Sequence, residues 1–227
     1  MAESLFDLSS EYEEMLHRGI RLSGESREFF IAGRLAALRS KLGAGVRVRK
    51  ILDFGCGIGD TAYRLAEMFP GAGVVGVDNN INALEHAIRT YGSASIRFRP
   101  LAELPLERDF DLCYVNGVFH HIEPEERAGA LRGIHGALRP GGYLALFENN
   151  IWNPGVRMVM KRIPFDRDAK PFSPRQARRL ARQGGFTKPA LVWSMFYFPK
   201  SLAFLRFTED FLSRLPLGAQ YCVLVAK

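Results

Sequence analysis

Cysteine is scarce. The chain has three in 227 residues, at positions 56, 113 and 222, odd in number and far apart. That pattern argues against a disulfide framework and against a structural zinc site, and it leads us to expect a reduced, cytoplasmic protein. Nowhere do eighteen apolar residues run together, so no transmembrane helix is expected. The opening "MAESLFDLSSEYEEML" is acidic and lacks an apolar core, unlike a secretory signal. Internal repeats, low-complexity tracts and a Ser/Pro/Gly-rich linker are all missing. A single domain is expected over 1–227, with a helical cap (1–47), a core (48–150) and a final segment (151–227). The formal net charge of +7 admits nucleic acid, an acidic small molecule or an anionic membrane as partner and selects none of them.

What is present is alternation. "VRKILDF", "GVVGVD", "SIRFR", "FDLCYV" and "YLALFE" read as strands. Between them lie helical patterns such as "DTAYRLAEMF", in which Ala62, Leu65, Ala66 and Phe69 share one face. Such alternation predicts an α/β fold: a parallel sheet with helices on both faces. The ends differ. "REFFIAGRLAALRSKL" reads as an N-terminal helix. After residue 150 come the helix "SPRQARRLARQGGF", a strand "ALVWSMFYF", an inserted amphipathic helix "PKSLAFLRFTEDFLSRL" and a last strand "AQYCVLVA".

The chemistry concentrates in "ILDFGCGIGD", residues 51–60. A glycine-rich turn from a first strand into a first helix permits positive φ and close backbone approach, at the carboxyl edge of the sheet where ligands bind. Asp78 ends the second strand, where an acidic residue can accept hydrogen bonds from ribose hydroxyls. The dinucleotide fingerprint G-x-G-x-x-G requires glycine at position 60, which is Asp60. The pattern present, Asp53-x-Gly55-x-Gly57-x-Gly59, resembles motif I of the class I S-adenosylmethionine-dependent methyltransferases, of the small-molecule type. "VVGVDNN", "FDLCYVNGVFHHI" and "LRPGGYLALFE" are similar to the family's following motifs, in order, over residues 48–148.

That resemblance implies a Rossmann-like seven-stranded sheet of order 3-2-1-4-5-7-6, with N-terminal helices and a helical insertion near the last strands. It implies S-adenosyl-L-methionine as cofactor and S-adenosyl-L-homocysteine as product. Asp53, Gly55, Cys56, Gly57 and Gly59 would surround the methionine part, with Asp78 and Asn79 at the ribose and Leu101 and Ala102 beside adenine. Asn116, Gly117 and Val118 would line the sulfonium side, and Tyr12 would close over the cofactor. Pro100 stands where many relatives carry an adenine-binding aspartate, which leaves adenine to backbone groups or Glu103.

His120 and His121 follow the fourth strand, and since an unperturbed imidazole titrates near neutrality they are candidates for a general base, His121 ahead of His120. Glu148, at the end of the fifth strand, is a candidate to contact the acceptor or orient a histidine. No metal site is expected, because adjacent histidines rarely point the same way. The expected reaction is methyl transfer to a small molecule, at oxygen before nitrogen or carbon, with an amphipathic or acidic acceptor. The apolar and basic segment 151–172 would cover it. No nucleic-acid partner is expected. A membrane or lipid-linked substrate is not favoured, and a homodimer stays open.

Overall fold

The computed structural model describes residues 23–43, 45–106, 108–161 and 168–227. Helix α1 (Arg27–Leu42) starts where the Ser26 side chain accepts from Phe29 N, and it stops at Gly43, whose φ of 82° no other residue adopts cheaply. Its Ile31, Leu35, Leu38 and Leu42 are buried on one face.

Seven strands follow: β1 (Lys50–Phe54), β2 (Gly73–Asp78), β3 (Ile96–Pro100), β4 (Phe110–Asn116), β5 (Leu138–Asn149), β6 (Leu191–Met195) and β7 (Gln220–Ala226). They form one sheet of order β3-β2-β1-β4-β5-β7-β6. β1 to β5 run parallel, and β7 pairs antiparallel with both β5 and β6. This is the order the motifs implied.

The parallel strands are buried on both faces, hence their nearly continuous apolar runs. Strand alternation sorts them into two layers. Leu52, Val75, Val77, Cys113, Val115 and Leu146 face α4 (Pro124–Ala137) and α6 (Pro174–Gln183), which contribute Leu131, Ile134, Ala177 and Ala181. Ile51, Val74, Leu112, Tyr114 and Phe147 face α1 and α2 (Asp60–Met68), which contribute Leu35, Leu38, Ala62 and Leu65. Helix α3 (Ile81–Tyr91) is capped by the Asn80 side chain accepting from Ala83 N and packs beside β2 and β3.

Three elements depart from the sequence expectation. β5 begins at Leu138 and runs through "RPGG" rather than after it, with its register against β4 shifting between Phe110 and Leu112. β6 ends at Met195 instead of running on to Phe198. Phe196 takes a φ of 61° and turns out of the sheet, and its ring packs against Phe29 and Phe30 of α1. The expected inserted helix is a 3-10 stretch (Lys200–Thr208) that passes into a single α-turn, α7 (Glu209–Leu212). Helix α5 (Pro154–Met160) lies between β5 and α6. Among the described residues no helix is long and apolar enough to cross a membrane.

Candidate active site

In a sheet of this order the strand sequence reverses between β1 and β4, and a crevice opens there at the carboxyl edge. The ends of β1, β2, β4 and β5 bring Gly55–Gly59, Asp78, Asn116–Val118 and Glu148 to that edge. Leu101 and Ala102 start the 3-10 turn that leaves β3, and Asn79 is exposed beside Asp78. Tyr12 lies outside the described residues, as do residues 162–167 of the expected cover.

All three loop glycines have positive φ, at 75°, 52° and 92°. Their reasons differ. A Cβ on Gly55 would lie 2.3 Å from Val118 Cγ2, and one on Gly59 would lie 2.8 Å from Phe98 and 2.9 Å from Ala87. These two glycines admit protein. Only Gly57 faces open space within 4 Å, so it is the glycine a ligand can approach. Gly55→Ala is therefore expected to lower the melting temperature by forcing Val118 out of place. Gly57→Ala meets no packing clash and bears about 1–2 kcal/mol of left-handed strain, yet it should lose most of its cofactor-induced melting shift. Paired thermal scans with and without S-adenosylhomocysteine check both.

Asp78 holds the loop. Its Oδ2 accepts from Gly57 N at 2.8 Å and its Oδ1 from Asn80 N at 2.9 Å. Each carboxylate oxygen keeps a further lone pair for a ribose hydroxyl. The Cys56 side chain turns away from the crevice. It is buried, packs toward Gly76, and burial pushes its thiol far above the ordinary range. What it can offer a ligand is backbone.

Asp53 is 2% exposed, and its Oδ2 has no hydrogen-bond partner among the described residues. Burial, and then the charge of Asp78, push its carboxyl up to about 8, while Arg34 pulls it down. Buried Arg34 sits on the apolar face of α1. It donates from Nε to Tyr114 Oη at 2.9 Å and from Nη1 to Gln220 Oε1 at 3.1 Å. Asn116 Oδ1 is a second buried acceptor without a partner among the described residues. Two orphaned acceptors beside an open glycine fit a ligand that brings a cationic donor, such as the methionine ammonium of the expected cofactor. Asp60, at the start of α2, is held by Arg27 at 2.7 Å and by the Tyr91 hydroxyl at 2.6 Å.

Across the crevice, β4 and β5 produce a pair that local sequence does not announce. His120 Nδ1 lies 2.6 Å from Glu148 Oε2, and Glu148 Oε1 accepts from Phe119 N at 2.8 Å. The two side chains are 3% and 1% exposed. An acceptor oxygen at Nδ1 places the imidazole proton there and leaves Nε2 as the basic nitrogen of the neutral ring. His121 is exposed, and its ring lies tilted against that of His120, with centroids 4.1 Å apart. His120 Nδ1 is thus the histidine nitrogen that meets Glu148.

Sequence reasoning missed Arg127, a second cation near this pair. Arg127 bonds the carbonyls of Ile122 and Lys170 at 2.9 and 2.5 Å, while burial lowers the guanidinium and Glu148 and Tyr221 raise it. Lys170 N donates to His120 O at 2.7 Å, so Arg127 and Lys170 fix the backbone that carries His120. An arginine four residues before Leu131 and seven before Ile134, on the buried face of α4, was the available signal.

Comparison with known proteins adds an outside view. Residues 51–142 match a family described as a methyltransferase domain. An uncharacterized methyltransferase of Synechocystis is 34% identical over 101 residues, 44% of this chain and 47% of that one. A trans-aconitate 2-methyltransferase of Methylobacterium radiotolerans is 32% identical over 112 residues, 49% of this chain and 42% of that one. The matches thus span less than half the length of these curated relatives. Among solved structures, a SAM-dependent methyltransferase from Archaeoglobus fulgidus superposes with a TM-score of 0.67 at 18% identity, covering 95% of this chain and all of that one. Phosphoethanolamine N-methyltransferase 2 of Haemonchus contortus, in complex with S-adenosyl-L-methionine, gives 0.59 at 20% identity over 86% of this chain and 52% of that one. At such identities the likeness is one of fold.

Proposed function

Because residues 51–142 belong to the methyltransferase-domain family and sit in a full seven-stranded frame of that kind, we propose that the protein methylates a small-molecule acceptor at oxygen, using S-adenosyl-L-methionine. When bound, that cofactor supplies an electrophilic methyl on a sulfonium. The chain's own residues position and deprotonate. Asp53 and Asn116 receive the ammonium, Gly57 gives the ligand room, and Asp78 holds the ribose hydroxyls. The buried pair His120–Glu148 carries the oxygen assignment. A hydroxyl nucleophile must lose a proton as the bond to carbon forms. His120 Nε2 accepts that proton, and Glu148 stabilises the imidazolium through Nδ1, as in other carboxylate-oriented histidines.

The acceptor side is apolar at its rim. Phe204, Phe207 and Phe211 are 71%, 83% and 87% exposed, in the insertion that links β6 to β7 at the same edge of the sheet. Trp152 and Met158 are exposed nearby in sequence to the end of β5. An acceptor with an apolar body suits this rim. Relatives named for trans-aconitate support a small molecule.

Asp78→Ala is expected to weaken S-adenosylhomocysteine binding by at least about tenfold, the lower worth of a single hydrogen bond to a charged acceptor. Calorimetry on folded protein checks it. The function itself is tested with methyl-labelled cofactor and separate pools of small metabolites, RNA and protein. Label on an oxygen of a small molecule supports the reading, and label confined to RNA or protein overturns it.

A further inference from the structure

The opposite edge of the sheet holds a cavity of about 720 Å³ that the proposed reaction does not use. Its lining comes from the amino ends of the strands: Arg47, Arg49 and Lys50 at β1, Gly73 to Val75 at β2, Arg97 at β3, and Asp109, Asp111 and Arg139 around β4 and β5. Five cations meet two carboxylates there. Both carboxylates are already engaged. Asp109 Oδ1 pairs with Lys50 Nζ at 2.6 Å. Asp111 pairs with Arg139 and also accepts from the backbone of Arg49 and Lys50 at 2.7 and 2.9 Å. Arg47, Arg49 and Arg97 have no carboxylate partner among the described residues, and all three are exposed.

Sheet register shows why these groups converge. Leu52 aligns with Val75, and Val75 with Arg97, so Arg97 projects from the same face as Lys50, two residues before Leu52. β1 and β3 are separated by two strand spacings, roughly 10 Å. Arg97 enters that gap from the β3 side, and Arg49, one residue ahead of β1, lines the same cavity from the other. Gly73 to Val75 meet the cavity at the buried start of β2, and exposed Ala94 lies at its rim. The volume falls in the range of small-molecule sites, about 300–1,000 Å³.

We propose that this cavity binds a small oligophosphate, a compound with two or three linked phosphoryl groups held between Arg49 and Arg97, with Arg47 at the rim. Guanidinium forks match phosphate oxygens bidentately. The paired acids Asp109 and Asp111 close one side, which disfavours a continuous polyanion such as RNA.

Calorimetry with inorganic tripolyphosphate, ADP, sulfate and a short RNA tests it, at about 0.15 M salt, where charges beyond roughly 8 Å are screened. The proteins are wild type, the cavity double variant Arg49→Gln/Arg97→Gln, and an α6 double variant Arg178→Gln/Arg179→Gln. Tripolyphosphate or ADP should bind wild type, at least about tenfold more weakly the cavity variant, and unchanged the α6 variant. If ADP binds and tripolyphosphate does not, the organic body matters; the reverse means that the phosphate chain suffices. The S-adenosylhomocysteine melting shift should persist in both variants, which shows them folded and the methyltransferase site intact. The proposal is overturned if neither oligophosphate binds, if sulfate does as well, if the α6 variant loses as much, or if RNA binds best with a steep salt dependence.

Discussion

Glu148→Gln should lower kcat by about 10²–10⁴-fold, the usual worth of a positioned general base, with little change in cofactor affinity. The reason is a count of donors and acceptors. Glu148 accepts twice, from Phe119 N and from His120 Nδ1. Glutamine accepts at one end and donates at the other. If it keeps the Phe119 bond, its amide donates to Nδ1, and the imidazole proton must move to Nε2. The ring then has its proton on the nitrogen that should receive one. If the amide flips instead, two N–H groups oppose each other at Phe119. His120→Ala should match the loss in kcat. Rate profiles against pH separate the base from a purely structural role: a general base leaves a pH-dependent limb in wild type that both variants lack. A fall in melting temperature with an unchanged pH profile would show that the pair only supports the fold.

Cofactor affinity should rise with pH, through Asp53. Its carboxyl is pushed up to about 8 by burial and by Asp78. Below that value the unliganded site mostly holds a neutral acid, which must give its proton to solvent before the carboxylate can pair with an ammonium. Each pH unit below about 8 then costs up to about tenfold in affinity. Between about pH 6 and pH 8 the Kd should fall by nearly two orders of magnitude. It should level above pH 8, where an α-amino group itself begins to lose its proton. Asp53→Asn should flatten the curve. Stability of the ligand-free protein runs the other way. The fold favours the protonated acid, so this contribution is complete below the unfolded carboxyl value of about 4 and is lost as pH rises through about 8. Calorimetric titrations and denaturant melts over the same pH series check both. A flat Kd in wild type would remove Asp53 from the ammonium.

The sheet was legible because each strand is a short apolar run ended by glycine or a polar residue, and each crossover helix shows its own period. Helix α1 matches its sequence pattern from Arg27 to Leu42 because both caps are local. The loop was legible as a loop, but its division of labour was not. That Gly55 admits Val118 depends on a residue 63 positions away, and no local pattern carries it. The same holds for Glu148 and His120, which meet through the parallel pairing of β4 and β5. Arg34 looked like one more surface cation in a helix. Its burial follows from spacing, three residues after Ile31 and four before Leu38, but its partners lie in β4 and β7. The aromatic tail misled in kind. "SMFYF" has strand propensity, yet Phe196 is needed under α1, and a left-handed residue ends the strand there.

Asp60 carries one more consequence. The start of a helix after a glycine loop is ordinarily a docking point for an incoming anion. Here the chain supplies the anion itself, and Arg27 and the Tyr91 hydroxyl hold it in place. A ligand with a pyrophosphate would have to displace a tethered carboxylate or sit against its charge. Self-occupation of the helix start thereby disfavours diphosphate-bridged nucleotides in the crevice, while a cationic sulfonium meets no such barrier.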